Sequence, residues 1–431
     1  MPDLMATDDF LKLLVQSEVV SESALDTVVW EHGLQAETST INVAKQLVKH
    51  GVITKFQAER VLNGRIRSLV IDNFRVFDVL GSGGMGCVYS AREVGSDWPV
   101  AIKVLSNERR NDAGMVVRLQ LEAEAGLRLK HPNILRTLAL NQSEDRYGVF
   151  SYMVMELVQG VTPLEWFSVA GKISWEQVCD VIQQAAEALE YAHGVDLIHR
   201  DVKPENLLLR TNGTVKVLDF GLAMLDENDE EFSMAMIFGQ DRVGTADYVA
   251  PEQTINSYEV DHRVDIYGLG CTFYFMLTGK LPFPYSRNGQ KIMGHRKKKP
   301  LPIAQFSPEV PEAVVKVVER MMAKQPERRY STALEVANAV KPFARREPIP
   351  FDFEKIRNAR VQLAGRRAAK KKRSATSSPR SSSLVGDSTA RQQAKVETKA
   401  PTETDDTATD DTATDGTADD GRTGDHGSPQ S

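Results

Sequence analysis

The sequence predicts an α+β fold, in which a β-rich region is followed by a larger helical region, between an N-terminal helical module and a disordered C-terminal tail. Three patterns lead to this prediction. Glycine-terminated helical segments fill residues 5–66, alternating apolar residues begin near residue 72, and long helical patterns follow residue 174. The chain has 431 residues, of which 41% are hydrophobic, and this is sufficient for two or three domains with a sizeable core.

The N-terminal module, residues 1–70, is predicted from three helical segments. The first begins near Ser21 and the third begins at Thr54, and such oxygen-bearing side chains can accept from the free N–H groups at a helix start. The glycines that end the three segments are Gly33, Gly51 and Gly64. Because the module carries no catalytic constellation, we expect a packing or docking appendage, with recognition of a specific partner as the open alternative.

The bulk composition gives weaker indications. The formal net charge of −6 combines a nearly balanced body with a polarised tail, so it says little about partners of the folded part. The three cysteines lie far apart without a CxxC pattern, which predicts a reducing compartment and no structural metal. No apolar stretch approaches the roughly 20 residues of a membrane span, and the acidic start is unlike a secretory signal. We therefore expect a cytoplasmic protein without a membrane span.

A glycine-rich segment follows the first predicted strand. Residues 80–89 read LGSGGMGCVY, so that Gly81, Gly83 and Gly86 lack side chains where backbone amides could approach phosphates. A glycine-rich hairpin turn has the same composition, and a dinucleotide site has the same spacing. The dinucleotide alternative requires a helix immediately afterwards, whereas the residues after Val88 continue a strand.

A lysine and a helical glutamate come next. Lys103 interrupts the short apolar run VAIKVL over residues 100–105, where a solvated strand lysine is the ordinary alternative. The helix predicted over residues 112–130 carries Glu122 and Glu124, which lie on different faces because residues two apart do not share one. These residues alone leave open which of the two carboxylates would pair with Lys103.

The densest chemistry lies in residues 198–206, IHRDVKPEN, and in the DFG triplet that begins at Asp219. Asp201 offers a carboxylate that could orient a hydroxyl, and Lys203 a cation that could neutralise a phosphoryl group. Asn206 and Asp219 offer the hard oxygen ligands that magnesium prefers. Together these residues indicate phosphoryl transfer.

These segments resemble the motifs of the protein kinase family, in the same order along the chain. They match G-x-G-x-x-G-x-V, V-A-I-K, H-R-D-x-x-x-x-N, D-F-G and A-P-E. The D-x-K-P-x-N context of Lys203 and the position of Thr245 resemble the eukaryotic-like, bacterial-type serine/threonine kinases. The resemblance implies the two-lobed protein kinase fold over residues 74–345, with a small β-rich N-lobe and a larger helical C-lobe. It also implies ATP and Mg²⁺ as cofactors, with Mn²⁺ possible, and protein serine or threonine hydroxyls as acceptors.

The resemblance also implies roles for individual residues. Lys103 would hold the α- and β-phosphates and pair with Glu122, Asp201 would act on the substrate hydroxyl, and Lys203 would reach the γ-phosphate. Asn206 and Asp219 would hold the metal. The residues expected around the nucleotide are Leu80, Gly81, Gly83, Gly86, Val88, Ala101, Met155, Glu156, Val158 and Leu208.

Structural and regulatory roles are implied for a second set. Asp265 would bind the backbone of the catalytic loop, and Arg329 would pair with Glu252 of the A-P-E triplet. Arg200 precedes the catalytic aspartate, where a cation is commonly paired by an activation-segment phosphate. Three possibilities remain open for Arg200: phosphorylated Ser233 pairs with it, a carboxylate of the acidic run over residues 226–231 does so, or this segment is solvated.

Beyond the kinase-like region the composition changes. We expect a short extension over residues 346–365, then a basic and finally acidic tail over residues 366–431, whose few apolar side chains predict disorder. The basic block could bind nucleic acid or anionic lipid, but attraction to the acidic end of the same chain is an equal alternative, so nucleic acid is an unlikely partner. The rival functions are a pseudokinase scaffold, disfavoured by the complete set of catalytic residues, and a small-molecule kinase, which would be expected to lack the A-P-E segment.

Overall fold

In the computed structural model of the chain, the described residues of the N-terminal module form four α-helices. Their bounds are α1 (Thr7–Gln16), α2 (Glu22–Glu31), α3 (Thr40–Lys49) and α4 (Lys55–Leu62). The three helices predicted from sequence are confirmed, with Ser21 capping α2 and a capping box of Thr54 and Gln57 opening α4. The structure describes residues 5–37, 39–67, 69–82, 86–96, 98–145, 147–220, 245–256, 259–352 and 356.

The small lobe is a six-stranded antiparallel sheet with one helix against it. The strand order is β1-β2-β3-β4-β6-β5. The strands are β1 (Val70–Ile71), β2 (Phe74–Ser82), β3 (Gly86–Glu93), β4 (Pro99–Leu105), β5 (Thr137–Asp145) and β6 (Gly148–Glu156). Helix α5 (Ala113–Arg128) begins at an Asp112 cap and packs on β5 and β6. It corresponds to the helix predicted over residues 112–130.

The large lobe is mainly helical. Its helices are α6 (Pro163–Ala170), α7 (Trp175–His193), α8 (Arg263–Thr278), α9 (Asn288–Lys297), α10 (Glu312–Met321) and α11 (Ala333–Val340), and its hairpin is β7 (Leu207–Leu209) with β8 (Val215–Val217). The predicted capping box of Ser174 and Gln177 opens α7. Helix α8 is buried along its whole length after Arg263, which is typical of a central core helix.

The lobes follow each other in the order that the sequence predicted, β-rich first and helical second, and this arrangement is the protein kinase fold. Residues after α11 return along the large lobe, where the Ile349 N–H donates to the Thr211 carbonyl at 2.9 Å. Across the described ranges, no helix combines the length and the apolar character that crossing a membrane requires.

Candidate active site

Strands β2 and β3 bring two of the predicted glycines to the cleft, and each glycine has a different surrounding. Among the residues that the structure describes, a Cβ atom added to Gly81 would meet nothing within 4 Å, so they leave open space beside the strand. A Cβ atom added to Gly86 would collide with the backbone carbonyl of Val104 on β4. Gly86 is therefore required by strand packing, while Gly81 leaves room for a ligand to approach the backbone. Gly83 lies outside the described residues.

Lys103 connects the two lobes. Its Nζ donates to Glu122 Oε1 at 2.5 Å and lies 3.5 Å from Asp219 Oδ1. The Lys103 side chain is 14% exposed and that of Glu122 4%, whereas Glu124 is exposed to solvent. The cation of β4 is thus held between a carboxylate of α5 in the same lobe and a carboxylate that follows β8 in the large lobe.

The charges at this point are strongly coupled. Burial opposes the ammonium of Lys103, but the carboxylates of Asp219 and Glu122 outweigh it and raise the pKa of Lys103. Burial raises the pKa of Glu122 to about 7; the Lys103 cation opposes this rise, and the Asp219 carboxylate adds to it. The Lys103 cation lowers the pKa of Asp219. Asp219 is consequently the more acidic carboxyl of the two and keeps its negative charge.

The predicted catalytic loop brings Asp201, Lys203 and Asn206 together. Lys203 Nζ donates to Asp201 Oδ2 at 2.7 Å, and Asn206 Nδ2 donates to the Asp201 carbonyl at 2.8 Å. His199 is fully buried: its Nε2 lies 2.8 Å from the carbonyl of Leu218, and its Nδ1 accepts from the Asp201 N–H at 3.3 Å. A carbonyl can only accept, so Nε2 carries the proton. His199 therefore supports the loop and is not placed as a base.

Asp265 fixes the backbone of that loop. Its carboxylate accepts from the N–H of His199 at 2.8 Å and from the N–H of Arg200 at 2.7 Å, and it also bonds His193 Nε2 at 2.8 Å. Arg200 has a left-handed backbone with φ of 63°. Non-glycine residues seldom adopt this conformation, so the buried carboxylate holds the chain in a strained turn immediately before Asp201.

The expected nucleotide pocket is lined by apolar side chains of the small lobe. Ala101 and Met155 are buried in one cluster against which Leu80 and Val88 pack. On the opposite side, Gly160 approaches Leu208 so closely that an added Cβ would lie 2.6 Å from Leu208 Cγ. Leu208 therefore lies directly beneath the segment that joins the lobes.

The joining segment offers polar backbone atoms and one anchored side chain. The Glu156 N–H is bonded to the Arg136 carbonyl at 3.0 Å, and Glu156 Oε1 accepts from Lys216 Nζ at 2.5 Å. Within the described part of the chain, the Val158 N–H has no backbone acceptor. The bond to Lys216 of β8 ties the end of β6 to the large lobe.

The A-P-E segment is held from below by one arginine. Arg329 Nη1 and Nη2 donate to the two carboxylate oxygens of Glu252 at 2.5 and 2.7 Å.

Thr245 begins a short 3₁₀ helix, Thr245–Asp247, and its side chain lies outside the description. Asp247 is tied to α9, because Lys291 Nζ donates to its Oδ2 at 2.8 Å. Ser233 and the acidic run also lie outside the described residues, so the three possibilities for Arg200 stay predictions.

Sequence reasoning missed two charged residues of this cleft. Arg118 lies one helical turn before Glu122 and is buried, and burial lowers the pKa of its guanidinium against the charges of Glu122, Asp201 and Asp219. Its spacing of four from Glu122 was the available signal. Lys216 gave no comparable signal, because its partner lies on a distant strand.

Comparisons with known proteins agree with this geometry. The protein kinase domain family matches residues 74–340. Serine/threonine-protein kinase PknB of Mycobacterium leprae is 34% identical over 267 residues, which cover 62% of this chain and 42% of that protein. Serine/threonine-protein kinase PrkC of Bacillus subtilis is 30% identical over 290 residues, covering 67% of this chain and 42% of that protein. The chain thus spans about two fifths of the length of these curated relatives.

A solved structure shows the same fold. The crystal structure of the Mycobacterium tuberculosis PknI kinase domain superposes with a TM-score of 0.50 at 27% identity, covering 64% of this chain and 98% of that one. The family match spans more than half of the 431 residues and contains the cleft from Leu80 to Arg329. The chain therefore belongs to the protein kinase domain family and resembles its bacterial, eukaryotic-like serine/threonine members.

Proposed function

We propose that this protein is an ATP- and Mg²⁺-dependent serine/threonine protein kinase. The observation that carries the proposal is the position of Lys103, which is paired with Glu122 and lies 3.5 Å from Asp219. This contact sets the phosphate-binding cation of one lobe beside the metal-binding carboxylate of the other. Phosphoryl transfer depends mainly on such positioning and charge neutralisation, and requires little covalent help from the protein.

The cleft fits a nucleotide on several counts. Leu80, Val88 and Met155 supply an apolar wall for an adenine ring. The free Val158 N–H offers one polar contact at its edge among the described atoms. Open space beside Gly81 allows phosphates to approach the backbone. The pocket therefore combines an apolar body with a few polar groups, as ligand sites commonly do.

The donor set also fits magnesium. The amide nitrogen of Asn206 is fixed on Asp201, which leaves its oxygen as the atom available to a cation. Asp219 has a half-exposed carboxylate that keeps its charge. One carboxylate, one amide oxygen and the substrate phosphates are the kind of set that Mg²⁺ accepts. When bound, the ion neutralises phosphate charge.

The residues of the catalytic loop then have separate tasks. Asp201 orients the acceptor hydroxyl and takes its proton, and Lys203, held 2.7 Å away, neutralises charge on the transferred group. The pairing with Lys203 keeps the Asp201 side chain in one orientation. A serine or threonine acceptor is supported by the D-x-K-P-x-N context of Lys203, by Thr245, and by the names of the bacterial relatives.

The test compares the wild type with Asp201→Asn in assays containing labelled ATP, Mg²⁺ and a protein substrate. We expect the substitution to reduce phosphoryl transfer about 10²–10⁴-fold, because a positioned base is lost, while thermal unfolding is unchanged. Asp26→Asn, an exposed position on α2, is the matched control and keeps full activity. Equal transfer by wild type and Asp201→Asn, or label on tyrosine alone, contradicts the proposal. Nucleotide binding without transfer by the wild type favours the scaffold.

A further inference from the structure

Helix α4 of the N-terminal module lies against strand β2, which leads into the nucleotide cleft. Two polar side chains at the start of α4 bond to this strand. Thr54 Oγ1 donates to the Phe77 carbonyl at 2.6 Å, and Gln57 Nε2 donates to the Val76 carbonyl at 2.7 Å. The module is therefore attached to the small lobe through two adjacent backbone carbonyls.

The orientation of Gln57 is fixed from both ends of its amide. Its Oε1 accepts from the Thr54 N–H at 2.8 Å in the capping box, so Nε2 is the atom that faces Val76. The side chain is 1% exposed. A buried carbonyl that loses its donor pays the full desolvation penalty, so this bond matters more than a surface contact would.

The two carbonyls belong to an irregularity in β2. The pairing of β2 with β3 shifts between Val76 and Asp78, which leaves Phe77 without an opposite residue, and shifts again between Val79 and Gly81. Bulges of this kind are where a strand changes its twist and re-aims its side chains. Since successive strand residues face opposite sides, a slip of one residue would turn Leu80 away from the cleft.

The strands β2 and β3 have the nucleotide pocket on one face and α4 on the other. Val88 of β3 packs with the cluster that contains Ala101 and Met155. The next residue, Tyr89, faces the module, with its ring 6.3 Å from that of Phe56 on α4. Phe56 itself packs against both the core of the module and the core beneath the sheet. The module therefore supports the strands from behind.

We propose that the N-terminal module is a positioning element of the nucleotide site, and that Thr54 and Gln57 set ATP affinity by holding the bulge of β2. The inference rests on the proposed kinase function and adds a task for the module. Gln57 and Thr54 touch no substrate, so they act through the strand that carries Leu80. Loss of their bonds is expected to weaken nucleotide binding and to leave the chemistry of Asp201 intact.

The test uses the full chain with Gln57→Glu. A carboxylate keeps the acceptor of the capping box and puts an acceptor in place of the donor to Val76, so the substitution breaks the strand contact while the cap is kept. Gln177→Glu is the matched control, because Gln177 occupies the same position in the capping box of α7. Binding of Mg·ATP is measured by calorimetry with a non-hydrolysable analogue, and kcat and both KM values are measured in the transfer assay.

For Gln57→Glu we expect about tenfold weaker nucleotide binding, equivalent to about 1.4 kcal/mol, with the same rise in the KM for ATP. We expect kcat at saturating ATP and the KM for protein substrate to stay within twofold of the wild type. Gln177→Glu should match the wild type in all of these. A folded Gln57→Glu protein with wild-type nucleotide affinity overturns the proposal, and so does an equal loss in Gln177→Glu.

A second pair of variants covers the case in which Gln57→Glu does not fold. Thr54→Val removes the hydroxyl that donates to Phe77, while Thr54→Ser keeps it. We expect weaker nucleotide binding only in the valine variant. Equal nucleotide affinities of the two variants would overturn the proposal. Because calorimetry reports binding without transfer, the two claims separate. A wild type that binds nucleotide but transfers nothing refutes the kinase function alone, and the effect of Gln57→Glu on binding still decides the role of the module.

Discussion

The small and large lobes each bury an ion pair, and the two pairs differ in how completely their donors are used. Arg329 donates through Nε to the Ala323 carbonyl, through both Nη atoms to Glu252, and to the carbonyls of Arg263 and Lys324 as well. Its side chain is fully buried, and all five N–H groups have acceptors.

The pair in the small lobe is less complete. Lys103 Nζ contacts Glu122 and, at a longer distance, Asp219, and no other side-chain hydrogen bond of this ammonium is made among the described residues. Burial raises the pKa of Glu122 to about 7, so this carboxyl can become neutral at modest cost. An arginine whose N–H groups all have acceptors stabilises the fold. A lysine whose ammonium can still donate a hydrogen bond is suited to binding a ligand. The difference yields three predictions.

The largest effect is expected for Arg329→Met. The variant leaves the Glu252 carboxylate and three carbonyls without their donor, and breaking a buried pair in this way usually costs about 3–5 kcal/mol. We expect the free energy of unfolding of the full chain to fall by that amount. The measurement is denaturant unfolding followed by circular dichroism.

Arg328→Met is the matched control for this prediction. Arg328 is the neighbouring residue and is exposed, so its loss should change the unfolding free energy by less than about 0.5 kcal/mol. An Arg329→Met protein as stable as Arg328→Met would show that the saturated pair does not support the fold, and would remove the contrast between the lobes.

The second prediction concerns Lys103→Met. Methionine keeps an unbranched side chain that is one atom shorter than lysine, and it removes the cation that lies beside Asp219. We expect phosphoryl transfer to fall about 10²–10³-fold, as for loss of one preorganised charge, with little change in unfolding because Glu122 can take up a proton. Transfer assays and thermal unfolding of the same preparations provide the two measurements.

The adjacent glutamates of α5 sharpen this prediction. Glu122→Gln removes the negative charge that pairs with Lys103 and should reduce activity, whereas Glu124→Gln changes an exposed side chain and should not. Equal activities of the two glutamine variants would contradict the pairing of Lys103 with Glu122 as the functional arrangement. A large loss of stability in Lys103→Met would show that the pair of Lys103 and Glu122 stabilises the fold, as the pair of Arg329 and Glu252 does.

Several of the site residues and helix starts could be predicted from sequence, because the patterns that indicate them lie within short stretches of the chain. Lys103, Asp201 and Asp219 lie in short motifs whose spacing indicated their chemistry, and the caps at Ser21, Thr54 and Ser174 located helix starts. Helix α1 was not predicted as a separate element. Its N-cap residue is Ala6, which has no side-chain acceptor to mark the start.

The contacts that escaped prediction join residues far apart in sequence. Glu156 and Lys216 lie 60 positions apart, and neither strand pattern indicates which charged side chain meets the other. Gln57 was recognisable only as part of a helix start, while its amide nitrogen reaches a strand 19 positions later. Gly86 belonged to a motif, but its close approach to Val104 depends on how β3 and β4 pack. Such contacts follow from tertiary packing, which periodicity does not encode.

The third and smallest effect concerns the surroundings of Arg329, whose guanidinium lies 4.8 Å from the ring centre of Tyr267. The Tyr267 hydroxyl bonds His295 Nδ1 at 2.9 Å, and His295 Nε2 donates to the Asp247 carbonyl at 3.0 Å. His295 is fully buried, and burial lowers its pKa to about 3, with further contributions from the nearby cations Lys324 and Lys291.

His295 therefore makes stability depend on pH in a definite direction. Its pKa is about 3 in the folded protein and about 6.5 when unfolded, so below pH 6.5 the unfolded chain binds more protons and stability falls as pH falls. Between pH 7 and pH 5 this amounts to about 2 kcal/mol. His295→Gln keeps a donor and an acceptor without titrating, so the wild type should lose about that much more than the variant. The measurement is the free energy of unfolding of both proteins at a series of pH values in this interval. An equal change with pH in the two proteins would contradict the prediction, because it would mean that the pKa of His295 is the same in the folded and unfolded protein.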